Sequence, residues 1–262
     1  MKRVAGHPLW LWCLPFALAA LAAPLWLHWW EPAMFLALHH ASAHVPLAVW
    51  MALSLLGNGW IVLALTAPLL TLAPRLMWAW MCAVPFAAVL TRLGKDFIVS
   101  ARPAAEIDPA LLRIAGETLY TVSMPSGHTT SAWAAASALF FALSPPQRLR
   151  HAWLLLLALG AGLSRIAVGA HWPGDVAVGI SLGLLCGLLA QWLLARVPLR
   201  YQQVHAWPTR ALALLVGAAA WVLATTPQDF AETAGLQRGL ALFAAAWLLW
   251  FAIRSARALK AA

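Results

Sequence analysis

The sequence predicts an all-α bundle of membrane-spanning helices. Of its 262 residues, 63% are hydrophobic and only 10% are charged, whereas an ordinary soluble domain is about 25% charged. Four long windows contain no Asp, Glu, Lys or Arg, namely residues 4–30, 32–74, 118–147 and 176–195. Each is long enough for a membrane crossing, which needs about 20 apolar residues. These observations exclude both a soluble globular domain and a disordered chain.

Apolar runs, and the residues that interrupt them, predict eight spanning helices. We number them spans 1 to 8, at residues 9–30, 47–72, 76–98, 127–144, 151–169, 175–195, 211–227 and 237–253. Span 1 resembles a signal sequence, but its apolar run continues to Trp30 and favours an uncleaved helix. The segment from Ala33 to Pro46 is expected to lie at the membrane interface before span 2 begins. No internal repeat or long linker divides the chain, so we expect one domain over residues 1–262.

The distribution of cations predicts the orientation in the membrane. Placing the N-terminus in the cytoplasm satisfies the positive-inside rule, because 11 of the 17 Lys and Arg residues then lie inside: Lys2, Arg3, Arg75, Arg148, Arg150, Arg196, Arg200, Arg210, Arg254, Arg257 and Lys260. All eight acids then lie at outer ends or in outer loops, and both termini are cytoplasmic. The net charge of +9 does not indicate nucleic acid, since the chain has no basic run interleaved with aromatic residues.

Two polar groups stand out at the predicted outer ends of spans 3 and 5. Lys95 and Arg102 are seven positions apart, which would place them on one helix face until Pro103 ends the helix. Arg165 lies near the outer end of span 5, where burying a guanidinium without an anionic partner would be costly. These cations therefore indicate an anionic ligand.

The starts of spans 4 and 6 carry further polar residues at the same predicted face. Ser126 is a natural N-cap, Gly127 permits close approach of the backbone to a ligand, and free amides at a helix start attract anions. His171 and Asp175 flank the start of span 6. Taken singly, each has a structural explanation: Ser126 as an ordinary cap, Asp175 as a complement to the helix dipole, and His171 as an interfacial residue.

Convergence favours a site over these separate explanations. Residues from four spans meet at one predicted membrane face: Lys95, Arg102, Ser126, Gly127, His128, Arg165, His171 and Asp175. Three cations and a helix N-terminus are typical of an oxyanion site, and two histidines with a carboxylate supply acid, base or nucleophile. Neither a metal nor another cofactor is expected, because the acids are too dispersed to surround a divalent cation.

Three segments carry a family resemblance. They are Lys95-(six residues)-Arg102-Pro103, Pro125-Ser126-Gly127-His128, and Ser164-Arg165-(five residues)-His171-(three residues)-Asp175. In residue type, spacing and order they resemble the tripartite signature of the type 2 phosphatidic acid phosphatase superfamily. That family's six-helix core would cover residues 1–197, which leaves spans 7 and 8, at residues 198–262, as an addition of open role. The family includes soluble vanadium haloperoxidases, but this composition favours its membrane lipid phosphatase branch.

The resemblance implies a metal-independent phosphatase with a phosphohistidine intermediate. His171 would attack phosphorus, with Asp175 fixing its tautomer, and His128 would act first as general acid and then as general base. Lys95, Arg102, Ser126, Gly127 and Arg165 would bind the phosphate oxygens.

The expected substrate is a lipid phosphate or diphosphate, bound at the outer, periplasmic face of the inner membrane. Undecaprenyl diphosphate, phosphatidylglycerol phosphate, phosphatidic acid and a lipid A phosphate all fit the family. A phosphotransferase that passes the phosphate to another lipid would use the same residues. A transporter or scaffold is disfavoured, because transport sites usually lie near the membrane midplane.

Overall fold

The structure, a computed structural model, describes residues 3–4 and 6–260. Lys2, one of the cations used to predict orientation, lies outside these residues. Within them the chain forms fifteen α-helices and one two-stranded ribbon, β1 (Arg3–Val4) with β2 (His7–Pro8). The helices are α1 (Leu9–Leu21), α2 (Ala23–Trp26), α3 (Ala33–Ala41), α4 (Leu47–Leu55), α5 (Gly59–Leu65), α6 (Leu69–Leu72), α7 (Pro74–Met81), α8 (Val84–Phe97), α9 (Pro103–Glu106), α10 (Gly127–Ala142), α11 (Pro145–Arg150), α12 (Trp153–Ala167), α13 (Pro173–Leu194), α14 (Trp207–Thr225) and α15 (Ala234–Lys260). The predicted all-α fold class is confirmed.

Four of these helical segments are long and apolar enough to cross a membrane. They lie at Pro74–Phe97, Pro173–Leu194, Trp207–Thr225 and Ala231–Leu259, and correspond to spans 3, 6, 7 and 8. The helices of spans 1, 4 and 5 are shorter, at 13, 16 and 15 residues. A helix of 16 residues is about 24 Å long, less than the roughly 30 Å of a hydrocarbon core. Much of α10 is buried within the bundle, so this helix need not match the bilayer thickness.

The prediction that span 2 is one continuous helix is wrong. Residues 47–72 form α4, α5 and α6, with breaks around Gly57 and Pro68. Asn58 starts α5 as its N-cap, because its side-chain oxygen accepts a hydrogen bond from the Trp60 amide at 3.0 Å. The segment before α4 does not continue it, since residues 33–44 meet α4 at an angle of 109°.

The centre of the bundle is the contact between α10 and α13. Three glycines spaced four apart on α13 form one face of that helix: Gly179, Gly183 and Gly187. A Cβ at Gly183 would lie only 2.4 Å from the Trp133 Cβ and 2.9 Å from the Ala134 nitrogen. Such a face of small residues lets two helix backbones approach closely. The contact places the start of α10 beside the start of α13.

We predict that Gly183→Ala destabilises the protein, because the new methyl group meets backbone atoms of α10 that cannot move aside. Overpacking of this kind costs about 1–3 kcal/mol. Thermal unfolding in detergent should therefore have a midpoint several degrees lower than that of the wild type. Gly239→Ala on α15 is the matched control, since nothing lies within 4 Å of its added Cβ. Equal stability of the two variants would contradict the close helix contact.

Candidate active site

His171 and Asp175 form a hydrogen-bonded pair across the start of α13. The Asp175 Oδ2 atom lies 3.1 Å from His171 Nδ1 and accepts hydrogen bonds from the Trp172 amide at 2.9 Å and the Ser123 hydroxyl at 2.5 Å. The carboxylate is completely buried, and His171 is 2% exposed. Two donors, the Trp172 amide and the Ser123 hydroxyl, therefore hold one carboxylate oxygen against the imidazole.

The turn at the end of α12 positions His171 beside Asp175. Gly169 has φ +75, the left-handed conformation that commonly ends a helix with a glycine. The amides of Ala170 and His171 then donate to the Arg165 carbonyl at 3.0 and 3.2 Å. His171 and Arg165 therefore lie at the same end of α12.

Arg102 determines the tautomer of His171. Its Nη1 atom lies 3.3 Å from His171 Nε2 and also donates to the Ala170 carbonyl at 3.0 Å. Because a guanidinium can only donate, Nε2 must present its lone pair. The proton of the neutral imidazole is then on Nδ1, where it donates to Asp175. Burial, helped by the charges of Arg102 and Arg165 and opposed by Asp175, lowers the pKa of His171 to about 3.

Lys95 and Arg102 donate hydrogen bonds to the same backbone carbonyl. The Val122 oxygen accepts a hydrogen bond from Lys95 Nζ at 3.1 Å and from Arg102 Nη2 at 3.2 Å. Val122 has φ 56, a conformation that is rare for a β-branched residue. This carbonyl therefore holds two cations beside each other.

The expectation that Lys95 and Arg102 share one helix face is wrong. The helix α8 ends at Phe97, and the Arg102 amide instead donates to the Tyr120 carbonyl at 2.9 Å. Arg102 is extended, with φ −92 and ψ 163. The reason is Pro103, which disfavours the helical conformation in the residue before it and here begins α9 rather than ending α8.

Arg165 is a buried cation with one side-chain partner. Its Nη1 atom donates to the Ser54 hydroxyl at 2.5 Å, and its Nε atom is buried without a hydrogen bond. Within the described part of the chain, neither Arg165 nor Arg102 forms an ion pair with a carboxylate. The positive charge of both groups is thus left for an anionic ligand.

The start of α10 lies against that of α13. Ser126 is the N-cap of α10, as predicted, and its backbone amide donates to the Asp175 carbonyl at 3.1 Å. Gly127 and His128 follow in the first turn and line a cavity that they share with Lys95. The structure therefore brings together the residues singled out at the ends of spans 3 to 6.

Asp229, which the sequence analysis did not single out, reaches His128, and Asn58 in turn binds Asp229. His128 Nε2 lies 3.2 Å from Asp229 Oδ1, and Asn58 Nδ2 donates to Asp229 Oδ2 at 2.9 Å. Asp229 belongs to the turn between α14 and α15, and Asn58 to the break in span 2. The available signal was weak: an acid in a predicted outer loop, at the same face as the histidines. Ser54 and Ser123 were also missed, and an isolated serine carries no distinguishing pattern.

The described side chains include no group of three or more His, Cys, Asp or Glu residues arranged to hold a metal ion. The acids that approach the histidines do so one at a time, Asp175 at His171 and Asp229 at His128. The donor set at this site is instead rich in cations, which suits an anion.

Comparison with known proteins identifies the family. The PAP2 superfamily model matches residues 76–198. Over 132 residues the chain is 33% identical to a decaprenylphosphoryl-5-phosphoribose phosphatase from Mycobacterium tuberculosis, covering 50% of this chain and 69% of that protein. The chain belongs to the PAP2 superfamily, in agreement with the resemblance of its three segments.

Two further matches agree with this assignment. A lipid A 1-phosphatase from Rhizobium johnstonii is 36% identical over 129 residues, which cover 48% of this chain. The match spans about half of that relative's own length, 51%. The crystal structure of Aquifex aeolicus LpxE is similar with a TM-score of 0.52 and 27% identity, covering 60% of this chain and 92% of that one. Together with the apolar helices, these relatives define a multi-pass membrane protein.

We predict that the His171 imidazole stays neutral from pH 5 to pH 8. Burial lowers its pKa to about 3, so the protonated form is populated only in more acidic solution. Nitrogen-15 NMR of histidine-labelled protein in detergent should show one imidazole, absent from His171→Gln, whose shifts do not change over this range. A His171 midpoint near pH 6.5 would contradict the geometry described above.

Proposed function

We propose that the protein is an integral membrane phosphatase that hydrolyses a lipid phosphate or diphosphate through a phosphohistidine on His171. The observation that carries this proposal is the state of the His171 side chain. Its Nδ1 atom is engaged by Asp175, and its Nε2 atom presents a lone pair beside Arg102. A neutral imidazole fixed in this tautomer has the nucleophilic nitrogen next to a group that binds phosphate.

The proposed reaction has two steps. In the first, His171 Nε2 attacks phosphorus, the bond from phosphorus to the leaving oxygen breaks, and His128 gives that oxygen a proton. Asp175 stabilises the positive charge that develops on His171. In the second, His128 takes a proton from water, and the resulting hydroxide displaces His171 and releases inorganic phosphate. Each proton taken up is returned, so the enzyme ends in its starting state.

The remaining site residues are proposed to bind the equatorial phosphate oxygens. Charge on these oxygens is spread in the transition state of phosphoryl transfer, and fixed donors lower its energy. Arg102 and Arg165 are buried and carry no carboxylate partner among the described residues. Lys95 lies at the edge of the site, and Ser126 and Gly127 offer the amides at the start of α10. No metal or other cofactor takes part in the proposed scheme.

A cavity next to His128 supports a lipid substrate. It has a volume of about 450 Å³ and extends from Lys95 and His128 along α5, α8 and α10. Its polar end is lined by Lys95, Gly127 and His128, and its other end by apolar side chains that include Val62, Ala87 and Ala134. A molecule with a phosphate head and an apolar chain matches this division.

The names of the relatives support the same substrate class, since both a lipid A 1-phosphatase and a decaprenylphosphoryl-5-phosphoribose phosphatase act on phosphorylated lipids. Undecaprenyl diphosphate, phosphatidylglycerol phosphate, phosphatidic acid and a lipid A phosphate are the candidates to test.

We further propose one domain, with a catalytic core over residues 1–197 and the added helices α14 and α15 over residues 198–262. Its termini would be cytoplasmic and its site at the periplasmic face of the inner membrane.

We predict that His171→Gln lowers phosphate release at least about 1,000-fold, because loss of a nucleophile removes the covalent route. Acid quenching of the wild type with ³²P-labelled substrate should trap an acid-labile, base-stable phosphoryl-enzyme that the variant lacks. His44→Gln, at an exposed histidine, is the control and should match the wild type. Normal turnover by the His171 variant would reject the proposed nucleophile.

The same assay separates the alternatives. Release of inorganic phosphate without an acceptor lipid supports a hydrolase over a phosphotransferase, and turnover in detergent opposes a transporter or scaffold. Activity should persist in excess chelator. A loss that divalent cations restore would reject the metal-free scheme.

We predict that Ala88→Phe, in the lining of the cavity, raises KM for long-chain lipid phosphates about tenfold. The phenyl ring would displace roughly two buried CH₂ groups of the lipid chain, each worth about 0.8 kcal/mol. KM for water-soluble p-nitrophenyl phosphate should change little. Val89→Phe is the matched control, because Val89 is the next residue on α8 and lies outside the cavity lining. Equal KM values for the two variants with a long-chain lipid would place the lipid chain elsewhere.

A further inference from the structure

The turn between α14 and α15, residues 226–230, brings an acid to His128. Its Asp229 carboxylate has a separate partner at each oxygen, with Oδ1 3.2 Å from His128 Nε2 and Oδ2 accepting from Asn58 at 2.9 Å. The family match ends at residue 198, before α14 begins at Trp207. This acid therefore comes from a segment beyond the part of the chain that matches the family model.

The turn is held rigidly. Gln237 of α15 is fully buried, and its side chain accepts from the Gln228 amide and donates to the Gln228 carbonyl, both at 2.8 Å. On the other side, the backbone of Gly116 presses against the turn, and a Cβ there would lie 2.7 Å from the Asp229 carbonyl oxygen. The carboxylate is thus a fixed feature beside His128 rather than a mobile gate.

Several cations also lie near His128. Lys95 and Arg92 of α8 line the same cavity, and Arg102 and Arg165 act on the imidazole electrostatically. Arg92 is itself paired with Asp96 at 2.9 Å. Burial and cations both oppose a positive charge on an imidazole, yet the proposed reaction needs His128 protonated before the leaving group departs. Among the described acids, Asp229 is the one in contact with His128.

Asp229 is in the charge state needed to compensate. Burial by itself would raise the pKa of the Asp229 carboxyl, but its interactions with His128 and Asn58, together with the charge of Arg165, outweigh burial and hold this pKa below its ordinary value. The carboxylate is therefore ionised at neutral pH. An opposite charge within about 4–6 Å favours the charged form of a titratable group.

We infer that Asp229 is a positioning residue for the general acid, which keeps His128 oriented and protonated for its proton transfer to the leaving oxygen. This inference rests on the proposed function. A protonated imidazole has two N–H donors. Contact at Nε2 leaves Nδ1 to give its proton to the leaving oxygen and to recover one from water. The α14–α15 hairpin thereby contributes to the reaction without touching substrate.

The test uses Asp229→Asn in the full chain in detergent. Asp229 has φ 54, and asparagine tolerates this left-handed conformation as well as aspartate does, so the turn is preserved while the charge is lost. Glu232→Gln removes an exposed acid from the same hairpin and is the matched control. Asp229→Glu restores the charge and should recover part of the activity. Phosphate release is measured from pH 5 to pH 9 with two substrates. Phosphatidic acid has a poor leaving group, the alcohol oxygen of diacylglycerol, and p-nitrophenyl phosphate has a good one, p-nitrophenolate.

The expected result for Asp229→Asn is a kcat for phosphatidic acid that falls about tenfold or more, with a much smaller loss for p-nitrophenyl phosphate. The basic limb of the pH profile should move about one unit or more to lower pH, because the charged form of His128 loses its counterion. KM should change little, and Glu232→Gln should behave as the wild type. An equal loss for both substrates with an unmoved basic limb would overturn the inference, as would increased activity or tighter vanadate binding.

A titration of His128 separates this inference from the proposed function. In nitrogen-15 NMR spectra of histidine-labelled protein, the His128 signal is the one that is absent from His128→Gln. Its titration midpoint should lie at lower pH in Asp229→Asn than in the wild type. An unmoved midpoint overturns the positioning role even in an active phosphatase. A wild type that releases no phosphate from any lipid rejects the proposed function. The His128 midpoint in Asp229→Asn would still show whether the Asp229 charge favours protonated His128.

Discussion

The close approach of α10 to α13 is the constraint on which the site depends. A Cβ at Gly179 would lie 3.0 Å from the Ser126 carbonyl oxygen, so the first turn of α10 rests directly on the first turns of α13. The Ser126 amide then reaches the Asp175 carbonyl at 3.1 Å. Larger residues along this glycine face would push apart the two helix starts that carry His128 and Asp175. Packing in the apolar interior thus sets the distances among polar groups at the end of the bundle.

Electrostatics explains why such a site is incomplete without an anion. Arg102 is held by backbone carbonyls and Arg165 by a serine hydroxyl, partners that orient a guanidinium without neutralising it. Burying two such charges is costly, and a phosphate group would recover that cost on binding. The two carboxylates near the site are directed instead at the two histidines, which separates the proposed phosphate-binding residues from the proposed acid–base residues.

The two histidine–carboxylate pairs differ in origin. His171 and Asp175 lie four residues apart across one helix start, so local geometry alone brings them together. His128 and Asp229 are joined only because the α14–α15 hairpin packs beside α5 and its turn reaches the start of α10. An added pair of helices can therefore extend the chemistry of a smaller core.

The amino-acid sequence by itself determined the all-α class, four long spans and the residues of the three segments. Those residues stand near the ends of predicted spans 3 to 6, where Ser126 and Pro173 mark helix starts, so hydropathy and short-range rules were sufficient. The breaks in span 2, the extended conformation of Arg102 and the roles of Asn58 and Asp229 were decided by the tertiary structure. At Gly57, Arg102 and Asp229 the physical reason is a partner far away in the chain. A Cβ at Gly57 would lie 2.6 Å from the His128 Cβ, the Arg102 amide donates to the Tyr120 carbonyl, and Asp229 lies against His128. Such pairings arise only when helices pack, and no local pattern records which ends will meet.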